Sequence, residues 1–126
     1  MSAEFARRAA AGDTSPEIIA WQQRSCARYE AGEPLEVAFE LDRAARIRQM
    51  RAALQDAARL LAAEDGAWHC AERLEGAIRR YQARVAPLIE RDPAMSLPPL
   101  DQALRRAFAT RQRVPTTQRN LYELIR

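Results

Sequence analysis

Alanine limits what this chain can fold into more than any other residue. Of its 60 apolar residues 26 are alanine, while glycine occurs only four times. Alanine is the strongest helix former and the smallest helical side chain, so it favours helices that approach one another closely. The β-branched residues that favour strands are few. The expected class is all-α: a helical bundle built on a central antiparallel helical hairpin, with N- and C-terminal helices packed on it. A length of 126 residues suits a single domain with one core.

Proline, glycine and small polar residues mark the expected helix ends. Phe5 to Ala11 reads as a short helix stopped by Gly12. Ser15-Pro16-Glu17 opens the next, with a capping hydroxyl, a proline whose missing N–H costs nothing there, and an acid at the positive helix end. Its inward face would be Ile18, Trp21, Ser25 and Tyr29, and Gly32 would end it. Pro34 starts a third helix. There Val37, Leu41 and Ala44 project almost opposite the later stripe Ile47, Met50, Leu54, Ala57 and Leu61, whose 3-4-3-4 spacing marks one narrow face. Either this helix buries two faces or it breaks near residues 43–46. Charge changes sign at the same place, with acids through Asp42 and then Arg43, Arg46, Arg48 and Arg51. We read a junction there between an acidic N-terminal cap (1–44) and the hairpin (45–91).

Ala62 to Gly66 supplies the hairpin turn. The second arm carries Ala67, Ala71, Leu74, Ile78, Tyr81, Val85 and Leu88 at alternating four- and three-residue spacings, a heptad-like seam. Two such helices with a short connection should pack antiparallel. Pro87 should end or kink the second arm, because it cannot donate an i−4 hydrogen bond. Asp92-Pro93 and Leu97-Pro98-Pro99 mark a linker into a basic C-terminal unit (97–126). In that unit a helix from about Leu100 to Thr110 would bury Leu100, Leu104, Ala107 and Phe108. A turn, Arg111 to Pro115, then leads to a last helix capped by Thr116 or Thr117 and carrying Leu121, Leu124 and Ile125.

The charge pattern points to a class of partner. All twenty basic residues are arginine; residues 1–42 carry a net −4 and residues 43–126 a net +7. The planar arginine fork binds phosphate bidentately, so several converging forks would make a backbone-binding groove. Arg73, Arg80 and Arg84 fall on one face of the second hairpin helix, and Arg48, Arg51 and Arg59, with Gln55, on one face of the first. Arg105 and Arg106 add charge to the C-terminal unit, whose outline resembles a helix-turn-helix. There Thr116, Thr117, Gln118 and Asn120 would face bases, with Arg111, Arg113 and Arg119 on phosphates. The same arginines also suit plain solvated faces paired with Asp56, Glu72, Glu75 and Glu90, and the last helix equally suits a tail docked on the hairpin.

Other constellations carry less. Trp68-His69-Cys70 invites a metal or nucleophile reading, but neighbouring helical residues diverge by about 100° and the chain has one histidine. No metal and no cofactor is expected. Cys26 and Cys70 read as buried thiols in a reducing cytoplasm. Glu30, Glu33, Glu36, Glu40 and Asp42 suit helix N-termini, or imitation of nucleic-acid charge toward a basic partner. Neither a catalytic Ser/His/Asp set nor a phosphate-binding glycine loop is present, so an enzyme is not expected. No apolar run suits a signal peptide or a membrane span. The exclusive use of arginine hints at a GC-rich bacterial or phage genome. The favoured reading is a cytoplasmic module that binds DNA or RNA through its backbone. The alternative is a protein-interaction module (assembly factor, adaptor or inhibitor), and an alanine-rich seam would also suit a homodimer.

Overall fold

The computed structural model describes residues 2–62 and 64–126. Met1, and Ala63 in the expected hairpin turn, lie outside the described residues. The chain forms α1 (Ser2–Ala10), α2 (Pro16–Glu30), α3 (Leu35–Ala38), α4 (Arg43–Leu60) and α5 (Ala67–Arg80). A π-helical turn (Tyr81–Val85), α6 (Ala86–Arg91), α7 (Pro99–Ala109) and α8 (Gln118–Ile125) follow. Among the described residues there is no strand, and the fold is an all-α bundle. No helix among them is long and apolar enough to cross a membrane.

The early helices end in one repeated way. After α1 the Gly12 N–H donates to Ala9 O and the Asp13 N–H to Arg8 O; after α2 the Gly32 N–H donates to Tyr29 O and the Glu33 N–H to Arg28 O. This paired closure needs a left-handed residue, which glycine supplies at φ 89° and 104°. The same closure follows α3, with Glu40 donating to Val37 O and Leu41 to Glu36 O. Here the left-handed residue is Glu40 itself, at φ 54°. Side chains of α4 hold that turn from below: Gln49 Nε2 donates to Glu40 O at 2.9 Å, and Arg46 Nε donates to Leu41 O. The expected break therefore exists, but it falls at residues 39–42 rather than 43–46, because the Glu40 turn and not the charge reversal ends α3.

The core lies around α4. Its stripe buries Met50, Leu54 and Ala57, widened by Ala45, Ala53 and Ala58. α4 packs most extensively on α7 and α5 on α8, while α4 and α5 meet over a shorter stretch. The two arms of the expected hairpin thus each take a close partner from the C-terminal unit. Ala103, Leu104 and Ala107 of α7 and Leu121 of α8 join the main cluster. A smaller N-terminal cluster forms around Trp21, whose ring meets Phe5 and Phe39 edge-on at centroid distances of 6.0 and 5.6 Å.

Three expectations about burial are corrected. Ile18, Trp21 and Ser25 face inward on α2, but Tyr29 is 53% exposed because α2 has only α1 and α3 beside it. Cys70 is buried and its thiol donates to Ala58 O, whereas Cys26 is exposed on the outer side of α2. The α5 seam holds from Ala71 to Tyr81 and then changes phase, leaving Leu88 47% exposed while Ala86 and Ile89 pack on the core. The π turn causes this. It adds one residue to the helical circuit, seen in the Ala86 N–H reaching back to Tyr81 O. Pro87 follows directly, and the helix continues past it to Arg91 instead of ending.

Two outcomes are expected. Leu104→Ala removes a side chain with no exposure from the α4–α7 contact and should cost about 2–5 kcal/mol in chemical denaturation. At the α1–α2 corner Asp13 accepts the Ser15 N–H at 2.9 Å and Arg8 Nε at 2.7 Å. The Ser15 N–H first, and then Arg8, hold its carboxyl down at about 2. Because the folded value lies below the unfolded one, this contribution is complete above the ordinary aspartate range and is lost as pH falls through about 2. Asp13→Asn should flatten the acid limb of a stability–pH curve in that window.

Candidate nucleic-acid interface

Arginines on this fold divide into those held by carboxylates and those held by none. Arg73 pairs with Asp65 at 3.5 Å, Arg79 with Glu75 at 2.7 Å, and Arg80 with the buried Asp101 at 3.0 Å. Arg106 reaches Asp56 at 3.4 Å, which also pairs with Arg59. Two members of the expected α5 face, Arg73 and Arg80, are therefore committed within the fold, and Arg84 alone is left without a carboxylate among the described residues. Arg80 in particular neutralises an acid that is 5% exposed, where an unpaired charge would be costly.

A second set is uncommitted. Arg43, Arg46, Arg48 and Arg51 on α4, Arg111 and Arg113 in the turn after α7, and Arg119 on α8 have no ion-pair partner among the described residues. Arg43, Arg51 and Arg113 line one groove of about 390 Å³. Ile47 and Met50 form its floor, and Gln55, Gln112 and Asn120 add neutral polar groups. One carboxylate, Glu123, lines it as well and is occupied by Arg126 at 3.0 Å. A second groove, about 470 Å³, holds Arg46 and Arg111 with Arg7 of α1. Arg24, Arg84 and Arg91, which also lack a carboxylate partner among the described residues, lie on α2, the π turn and α6.

Local chemistry explains why the arginines converge. On α4, Arg43 and Arg51 sit at the edge of the buried stripe, so their stems run along apolar surface while the forks reach water. The turn from Arg111 to Pro115 is pinned by Val114, which is 8% exposed, and by Thr110, whose Oγ1 donates to Ala107 O at 2.7 Å. Arg111 takes the left-handed position at φ 57° that glycine occupies after α1 and α2. A charged side chain there costs conformational energy that glycine would not.

The helix-turn-helix residues are differently employed. Thr117 caps α8 by accepting the Asn120 N–H at 3.4 Å. Gln118 is turned into the bundle: its backbone N–H donates to Glu75 Oε2 at 2.6 Å and its side chain to Trp68 O at 3.1 Å. Trp68 also meets Tyr122 edge-on at 5.4 Å. So α8 is a docked tail on α5, with Thr116, Arg119 and Asn120 exposed at its start. Arg105 donates to Pro93 O at 2.8 Å and lies, with Arg106, on the other side of α7. His69, beside Trp68, is exposed 3.6 Å from Glu72.

Sequence reasoning found Arg113 and missed the pairing of Arg43 with it, because Arg43 projects onto the core side of the α4 stripe. The available signal was its place at the first position of a helix with no acid in its first turn. Glu75 is the pin between α5 and α8. Glu75→Ala should destabilise the protein by about 1.5–3 kcal/mol, the scale of hydrogen bonds to a charged group, and should speed proteolysis within residues 111–126. No protein-family model matches the chain, and neither the curated proteins nor the solved structures compared with it include a similar one.

Proposed function

We propose that this chain is a non-enzymatic, cytoplasmic module that holds the backbone of a nucleic acid along the rim between the first turns of α4 and the 111–115 turn. The observation that carries this reading is the convergence of Arg43, Arg51 and Arg113 on one groove without a carboxylate to neutralise them. Arginines on α5 and α7 supply the contrast, since Arg73, Arg79, Arg80 and Arg106 are already paired. Arg111, kept where glycine would be easier, supports a role beyond folding. Neither exposed Trp68 nor exposed Tyr29 lines the groove. A duplex or structured backbone therefore fits better than single strands, which need stacking platforms.

A second reading has its own observation. Ile19, Cys26 and Tyr29 form an exposed stripe on α2, beside exposed Leu35 and Val37. Such a patch suits a protein partner or a second copy of the chain, in which case the module would be an adaptor or assembly factor.

The test is binding to mixed duplex DNA and RNA across a salt series. Wild type should weaken steeply with salt, and a variant carrying Arg43→Ala, Arg51→Ala and Arg113→Ala should lose about 0.9 of the log–log slope for each phosphate contact removed. Arg73→Ala with Arg79→Ala serves as the control and should leave the slope unchanged. Absence of binding at low salt would reject the nucleic-acid reading in favour of the α2 patch.

A further inference from the structure

A second arginine cluster lies across α7 from the rim. Arg7 and Arg8 of α1 and Arg105 and Arg106 of α7 line a cavity of about 330 Å³ closed by residues 93–97. That volume is at the small end of ligand pockets, and its further polar lining is Ser96, Gln102 and Glu4. The four arginines differ in how far they are satisfied. Arg8 is saturated, with Asp13 and Glu17 both at 2.7 Å. Arg106 has only Asp56 at 3.4 Å and Arg7 only Glu4 at 3.5 Å. The Nε of each is buried without a hydrogen-bond partner. Arg105 has no carboxylate among the described residues and donates to Pro93 O. Burial, and next the neighbouring Arg7 charge, push its guanidinium below the ordinary arginine range.

We propose that this cavity binds a phosphate group with at least three free oxygens, as an inorganic ion or as the end of a small phosphate monoester. Three under-satisfied forks, Arg7, Arg105 and Arg106, come from two helices, and partnering all three takes more acceptor oxygens than the two of a backbone diester. An anion between Arg7 and Arg105 turns a mutual repulsion into two charge-assisted contacts. Glu4 is the one carboxylate in the lining and competes with it for Arg7. The site is separate from the α4 rim and does not rest on the nucleic-acid reading.

The experiment is titration of the full chain with inorganic phosphate at constant ionic strength, read by phosphorus NMR. Melting shifts alone would not serve, because phosphate stabilises folded proteins generally. Wild type should give a saturable shift, and Arg105→Gln should weaken binding about tenfold or more, the loss of one charge-assisted contact. Glu4→Gln should tighten it roughly threefold, the size of a weak exposed ion pair. The variant lacking Arg43, Arg51 and Arg113 should bind phosphate like wild type even where it has lost duplex. Displacement of the ion by glycerol phosphate identifies a monoester as ligand, and failure to displace identifies the free ion. No saturable shift up to about 10 mM phosphate, equal affinity in Arg105→Gln, or unchanged affinity in Glu4→Gln would each overturn the proposal.

Discussion

The contact between α4 and α7 sets the geometry of everything else. Ala53, Ala57, Ala103 and Ala107 are all buried in the main cluster, with Leu54 and Leu104 filling the space beside them. Small side chains let two helices come close, and dispersion then accumulates over many short contacts. Because α7 sits on α4, the turn that follows it is carried to the first turns of α4, and the linker that precedes it is carried to α1. Both arginine clusters are consequences of that one placement: one forms where α7 ends, the other along its outer side.

Charge is handled differently at the two ends of the molecule. In the N-terminal cap the ions satisfy each other, as when Arg28 bridges Glu33 at 2.6 Å and Glu40 at 3.1 Å, or Arg8 spans Asp13 and Glu17. These pairs clasp turns already fixed by backbone hydrogen bonds, and exposed pairs of this kind contribute little stability individually. On α4 and the following turn the guanidinium groups have water instead of carboxylates. A folded chain tolerates this readily at the surface, and it leaves a region of fixed positive potential that no local acid cancels.

Much of the fold was legible in the sequence because its signals are local. Pro16, Pro34, Gly12 and Gly32 mark helix ends by their own backbone preferences, and the spacing of Met50, Leu54 and Ala57 names a buried face. What was not legible is set by partners distant in sequence. Tyr29 fits the inward face of α2 by period, yet nothing lies over that end of the helix. Gln118 reads as a base-contacting residue until Glu75, on another helix, takes its N–H. The rim shows the same limit: Arg43 and Arg113 lie far apart along the chain, and only the packing of α7 brings them to one groove. The break before α4 was visible as a conflict between two apolar faces, but its position depends on Gln49 and Arg46 reaching back to carbonyls.

The π turn at Tyr81–Val85 has an evolutionary consequence. It lets the apolar face of α5, set by Leu74 and Ile78, and that of α6, set by Ala86 and Ile89, point to the same core although they are one residue out of step. A one-residue length change elsewhere in these helices would rotate all that follows by about 100°. Within the π turn, loss of a residue would convert the wide circuit to an ordinary α-helical one and leave α6 facing as it does. This segment is where the chain can absorb an insertion or deletion without repacking, and where close relatives would be expected to differ in length.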